Sequence, residues 1–410
     1  MKIEELFFEL LRISVGADSE ALDATSPLSP LQRRGEVSDE EWAAVYELSK
    51  RQTVVGVFYS GIQSLPEEQR PPRKLLRQWA VKADKIVSMN RYATADSKLV
   101  YDRLYRDGFH SMVLKGQGNR AYYPENLRDY RVPGDVDVWV WPGMEEGSEG
   151  RDEIATNEGR HDCVREEGRR GPIRRVIEYC RGVKPGRFIY YHDMDWPVLQ
   201  TTVEVHYRPT WLYSPLRNRR LQHWLRQQHE VREFEGYCIP TVQFNAVFQL
   251  LHLYKHVFEE GIGFRQLVDY YFVLKNLTPN PSPKAWGGKD DIEGLLSDFG
   301  LKGFAGDVMY IMREVFAMPE ESLLCAPRIA GGQSLLEEIM RGGNFGKFDS
   351  RYKWSEVTAD SLEYRGVLYA WTRIRHNLKF LKSYPEEVLW EPVFRIYHFL
   401  WRRLRLWRWE

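Results

Sequence analysis

Gly134-Asp135-Val136-Asp137-Val138-Trp139-Val140 is the stretch on which the reading of the chain turns. Apolar and polar residues alternate along it, which is the period of a β-strand. In a strand, side chains two apart share a face, so Asp135 and Asp137 point the same way and Val136, Val138 and Val140 point the other. Two residues of rise separate the aspartates by roughly 6.6 Å between Cα atoms. Carboxylates at that spacing repel one another and call for a cation between them. Their hard oxygens suit Mg²⁺ or Mn²⁺.

Downstream, Thr201-Thr202-Val203-Glu204-Val205-His206-Tyr207-Arg208-Pro209 has the same alternation and reads as a second strand, after a strand in residues 188–196, FIYYHDMDW. Glu204 supplies a third carboxylate, and His206 shares its face. Three carboxylates from neighbouring strands are what metal-assisted phosphoryl or nucleotidyl transfer requires. Upstream, Lys115 and Gly116 close a short apolar run, FHSMVLKG. A lysine beside a permissive backbone turn suits a triphosphate. Arg131, just ahead of the central strand, can neutralise phosphate charge.

Lys115-Gly116, Tyr123-Pro124, Arg131, Asp135-Val136-Asp137 and the Glu204-Val205-His206 strand, taken together, resemble the uncharacterised nucleotidyltransferase family of the polymerase-beta-like superfamily. The helical stretch 251–271, LHLYKHVFEEGIGFRQLVDYY, is similar to a segment of the same family. The resemblance implies an α+β fold: a small mixed β-sheet core flanked by N-terminal and C-terminal helical regions. It also implies transfer of a nucleoside monophosphate from an NTP, assisted by Mg²⁺ or Mn²⁺, to an unknown hydroxyl-type acceptor (a small molecule, a sugar or a protein). Asp135, Asp137 and Glu204 match the catalytic, metal-binding carboxylates. Lys115 and Gly116 stand where the superfamily has a Gly-Ser phosphate loop and, with Arg131, are the nucleotide-binding candidates. A catalytically silent nucleotide-binding protein, or a membrane-associated accessory protein, is the alternative.

Histidines mark the rest of the expected cleft. His252 and His256 lie four apart on a helical pattern and share a face. The HExxH glutamate of zinc peptidases is missing between them, which favours a buried pair over a zinc site. The family resemblance offers a further place for them, lining the cleft with Arg265 and Asp269. His192 and His206 lie in the strand region, within reach of phosphate or acceptor.

The expected organisation is an N-terminal helical region over 1–107, an α/β core over 108–240 with an insertion at 142–172, and a C-terminal helical region over 241–410. Ser38, with Glu41 three residues on, has the form of a capping box that starts a helix. Residues 25–36 and 276–291, rich in Ser, Pro and Gly, read as surface loops with no chemistry of their own. The tail 393–409 places Val393, Ile396, Tyr397, Leu400, Trp401, Leu404 and Trp407 on one stripe flanked by arginines. Such a helix docks on its own protein or lies on an anionic bilayer.

The 410 residues hold 58 basic and 58 acidic side chains, so no global field draws long nucleic acid to the chain. No apolar run reaches the length of a transmembrane helix. The four cysteines, Cys163, Cys180, Cys238 and Cys325, form no CxxC pair and point to a reducing, cytoplasmic setting, with peripheral membrane contact through the tail.

Overall fold

A computed structural model describes residues 2–17, 37–143, 171–186, 188–277, 289–349, 351 and 372–409. The Ser-Pro segment 25–36, residues 144–170 of the insertion and residues 278–288 of the second breaker lie outside the described residues.

The helices before the core follow the sequence pattern closely. Helix α1 (Lys2–Val15) buries Leu6, Phe7, Leu10 and Leu11. Helix α2 (Asp39–Arg51) starts at Ser38, whose hydroxyl accepts from the Glu41 amide while the Glu41 carboxylate accepts from the Ser38 amide. Helix α3 (Val55–Gln63) leads to the long α4 (Arg73–Arg106), whose buried positions Trp79, Ala83, Ile86, Asn90, Ala93, Ser97, Val100 and Leu104 step at three and four residues. That spacing keeps one stripe of the helix inward along its length.

The sheet has the order β1-β2-β4-β3. Strand β1 (Phe109–Leu114) runs antiparallel to β2 (Val136–Pro142), which runs parallel to β4 (Val203–His206). Strand β3 (Asp193–Asp195) closes the other edge antiparallel to β4. The short helices α5 (Lys115–Asn119) and α6 (Glu125–Arg128) lie between β1 and β2. Helix α7 (Pro172–Val183) lies between β2 and β3.

The two faces of the sheet differ as the alternation requires. Val136, Val138, Val140, Val203 and Val205 form one apolar cluster with Val176, Ile177 and Cys180 of α7. Each fully buried valine contributes roughly 1.5–3 kcal/mol. Asp137, Glu204 and His206 occupy the opposite face. Beyond the sheet come α8 (Pro215–Leu225), the hairpin of β5 (Val231–Phe234) and β6 (Tyr237–Pro240), and helices α9 (Val242–Glu259) and α10 (Phe264–Lys275). Then follow α11 (Lys289–Asp298), α12 (Lys302–Glu314), α13 (Ile329–Gly342) and α14 (Pro385–Arg403). One apolar cluster runs from Leu6 of α1 through α9 and α10 to Val388 of α14, so the flanking helices share a core. The fold is α+β, with a small mixed sheet between helical flanks.

The tail helix is divided. Trp401 and Trp407 are buried in the cluster behind the sheet. Val393, Ile396, Leu400 and Leu404 are 45–65% exposed. No helix among the described residues is long and apolar enough to cross a membrane.

Candidate active site

Register assembles the site. In the parallel pair, Asp137 stands opposite Glu204 and Trp139 opposite His206. In the antiparallel pair, Asp193 stands opposite His206. Directly opposed residues share a face, so Asp137, Glu204, His206 and Asp193 gather on one side of the sheet. Donor atoms of Asp137, Glu204 and His206 lie within 4.8 Å of one another, and so do those of His192, Asp193 and His206.

Lys115 enters from the end of β1, next to Asp137, because Leu114 pairs with Asp137 in the register. Its backbone adopts φ +45, a region that non-glycine residues rarely occupy. Lys115 Nζ meets Asp137 Oδ1 at 2.7 Å, and His206 Nε2 meets the same oxygen at 3.0 Å. Burial works against the Lys115 charge. Asp137, Glu204 and Asp193 nevertheless hold the Lys115 ammonium above its ordinary range. Burial likewise opposes the Asp137 carboxylate, and Lys115 and His206 outweigh it and hold the group below the usual carboxylate range. Glu204 is held more loosely, with His206 Nε2 3.8 Å from its Oε2 and the Lys115 charge acting on it from farther off. Burial, then the Asp137 charge beside it, pushes its carboxyl up to about 9.

Asp135 stands apart from this group. The strand begins at Val136, and Asp135 lies exposed in the chain just ahead of it, hydrogen-bonded to the Thr202 side chain. It remains close enough for the Asp137 charge, after partial burial, to raise its pKa.

Across the cavity, α9 presents His252, Lys255, His256 and Glu259. The cavity holds about 400 Å³ and is also lined by Lys115, His192, Asp193, Glu204, His206, Arg373 and Arg395. The two imidazoles of α9 meet edge to face, with centroids 4.3 Å apart. Burial holds both well below the ordinary histidine range, His256 down to about 3. Lys255 rests its ammonium on the face of Trp211. Burial lowers its pKa to about 7, against the pull of Glu259 and Asp193.

Arg131, Arg265 and Asp269 form a different assembly. Arg131 Nε and Nη2 donate to the two oxygens of Asp269, both at 2.7 Å. The Tyr123 hydroxyl donates to Asp269 Oδ1 at 2.6 Å. Arg265 reaches the carbonyls of Val132 and Pro133, and Asn90 donates to the Arg131 carbonyl at 2.6 Å. The group clamps the backbone that leads into β2. None of the three is among the described residues that line the 400 Å³ cavity.

Sequence reasoning missed Asp193, Lys255 and Glu259. A signal existed for the first: Asp193-Met194-Asp195 is a second D-x-D in a strand. Lys255 lies three residues after His252, on the same helix face. Arg373 and Arg395 carried no local signal, since only the tertiary fold brings them to the cavity. A second, largely apolar cavity of about 1570 Å³ adjoins the first, lined among others by Trp139, Trp141, Leu212, Trp390 and Val393. Tyr191, Pro209, Tyr213 and Phe394 border both spaces.

No curated protein and no solved structure matches the chain. A family model described as an uncharacterised nucleotidyltransferase matches residues 38–286, a span that contains Lys115, Asp137, Glu204 and α9. Covering more than half of the chain and every element of the sheet, that match makes the protein a member of this nucleotidyltransferase family.

Proposed function

We propose that this site transfers a nucleoside monophosphate from an NTP to a hydroxyl-type acceptor. The observation that carries the reading is the pairing of Asp137 with Glu204 across adjacent strands, with a lysine and two histidines of α9 lining the cavity that Glu204 also lines. The acceptor oxygen bonds to the α-phosphorus, the bond from that phosphorus to the bridging oxygen breaks, and pyrophosphate leaves. The hydroxyl proton passes to a Glu204 oxygen, which is free to take it once a cation beside the two carboxylates has displaced the proton that Glu204 holds without one.

The donor set fits a divalent cation. Two carboxylates face one another, and burial together with the charge of Asp137 keeps Glu204 protonated; a cation relieves the repulsion between them. Asp137 and Glu204, with Asp135 at the solvent edge, would hold Mg²⁺ or Mn²⁺ through oxygen ligands. Such an ion, when bound, makes the attacking hydroxyl more acidic and steadies the leaving pyrophosphate. Lys115 binds the phosphate chain when a cation takes its place on Asp137. Lys255, His252 and His256 donate to phosphate oxygens from the opposite wall. Arg131 acts on the nucleotide indirectly by holding residues 131–135 in place. The large apolar cavity beside the site suits an acceptor with an apolar body.

The Glu204 carboxyl also gives a pH prediction. Its folded pKa is about 9, against about 4.3 for a free glutamate. Between these values the folded state holds a proton that the unfolded state releases. The stability tied to that proton is full below about pH 4 and is lost as pH rises through about 9. Glu204→Gln removes the dependence. In EDTA the variant is expected to melt a few degrees above wild type at pH 9 and level with it near pH 4. A difference that is the same at both pH values contradicts the assignment.

The tail supports a second contact. Leu389, Val393, Ile396, Leu400 and Leu404 form an exposed apolar arc on α14, and Arg402, Arg403, Arg405 and Arg408 are exposed around its C-terminal end. We propose that this arc lies on an anionic bilayer, the buried Trp401 and Trp407 fixing its orientation. Vesicle flotation tests it. Binding to phosphatidylglycerol vesicles at low salt, lost in the double variant Ile396→Glu, Leu400→Glu, is expected. Equal flotation of both proteins rules it out.

A further inference from the structure

His192, Asp193 and His206 form a cluster that the Asp137–Glu204 pair leaves unused. Their donor atoms lie within 4.8 Å of one another. Asp193 is 6% and His206 1% exposed. Each of the three also keeps a buried atom with no hydrogen-bond partner: His192 Nδ1, Asp193 Oδ1 and His206 Nδ1. A buried polar atom without a partner is costly to a fold. One such atom on each residue of this close group, whose other atoms are already engaged, points to a missing ligand. His192 Nε2 meets Asp193 Oδ2 at 3.0 Å, and His206 Nε2 meets Asp137 Oδ1 at 3.0 Å.

The cluster is also held rigidly. The His192 carbonyl accepts from the amides of Tyr207 and Arg208, both at 3.0 Å, which ties the end of β3 to the end of β4. The Trp211 ring packs on the His192 imidazole with centroids 3.7 Å apart.

We infer that His192, Asp193 and His206 hold a first-row transition-metal dication, at a site separate from the Asp137–Glu204 pair. Two imidazoles and one carboxylate are a borderline donor set, suited to zinc, cobalt or manganese rather than magnesium. His206 faces both groups, with Nε2 on Asp137 and Nδ1 unclaimed, and so couples the two sites. The ion pins β3 to β4 at the floor of the cavity. The inference does not depend on the proposed reaction: it stands on this cluster alone.

The test uses the full chain, stripped with a chelator and titrated with Co²⁺ in saturating Mg²⁺. Expected is one equivalent of Co²⁺ that Mg²⁺ does not displace, with the visible absorption of nitrogen-ligated cobalt. Glu204→Gln retains it. His192→Gln weakens it at least about tenfold. Asp193→Asn, nearly isosteric, serves as the second variant should loss of the Trp211 contact impair folding of the first. Absence of a Mg²⁺-resistant equivalent in wild type overturns the inference, as does wild-type affinity in His192→Gln or Asp193→Asn. Loss of the equivalent in Glu204→Gln with retention in His192→Gln assigns the ion to the carboxylate pair and overturns it too.

Discussion

Asp137→Asn is expected to lower nucleotidyl transfer by at least about 10³-fold while the protein stays folded. A catalytic metal contributes several kcal/mol to a phosphoryl transition state, and each 1.36 kcal/mol is tenfold in rate. Asp137 is the carboxylate on which the site converges. It opposes Glu204 in the register and receives both Lys115 and His206 on one oxygen. The asparagine keeps the shape and one acceptor oxygen, and it removes the charge that a cation needs. Glu204 remains near enough to act on the Lys115 charge, so the lysine is not left wholly uncompensated. The assay is pyrophosphate release from each NTP with Mg²⁺ and candidate hydroxyl acceptors, alongside a thermal melt. Transfer within tenfold of wild type places the chemistry elsewhere.

Asp269→Ala is expected to destabilise the protein by about 3–5 kcal/mol, the range for breaking one partner out of a buried ion pair. The Arg131 and Asp269 side chains are 5% and 4% exposed. Two parallel hydrogen bonds join them, and the Tyr123 hydroxyl is a third donor to the same carboxylate. The alanine leaves a buried guanidinium without its paired carboxylate, only Asp137 acting on it from farther off, and Arg265 nearby makes this worse. Chemical denaturation of the variant measures the loss. The pair also separates two roles for Arg131. If it positions the backbone before β2, Arg131→Lys lowers stability and weakens NTP binding only as far as Asp135 and Asp137 shift. If it touches phosphate directly, NTP affinity falls with stability unchanged, and the clamp described above is the wrong account.

Period-two alternation made the core of the site legible in the sequence. Val136, Val138, Val203 and Val205 face α7, so Asp137, Glu204 and His206 have to face the other way. The alternation carried one residue too far at Asp135, because Pro133 and Gly134 delay the strand to Val136. Strand ends are where a pattern says least. Register is not written in either strand alone, so the placement of Asp193 opposite His206 became visible only in the sheet. Arg131 and Asp269 were both singled out, yet their pairing spans 138 residues and gave no local sign. Lys255 sat between two histidines already noted, and its burial, not its spacing, gives it a part in the cavity. The tail pattern showed an amphipathic helix without showing which arc docks. Trp401 and Trp407 are the docked ones.

The most direct measurement is isothermal titration of NTPs into wild type and Glu204→Gln, each with and without Mg²⁺. The account predicts binding of at least one NTP that requires Mg²⁺ in wild type and is lost or reduced at least about tenfold in the variant, one carboxylate ligand of the cation having been removed. NTP binding that is indifferent to Mg²⁺ and equal in both proteins contradicts a metal-dependent centre on Asp137 and Glu204.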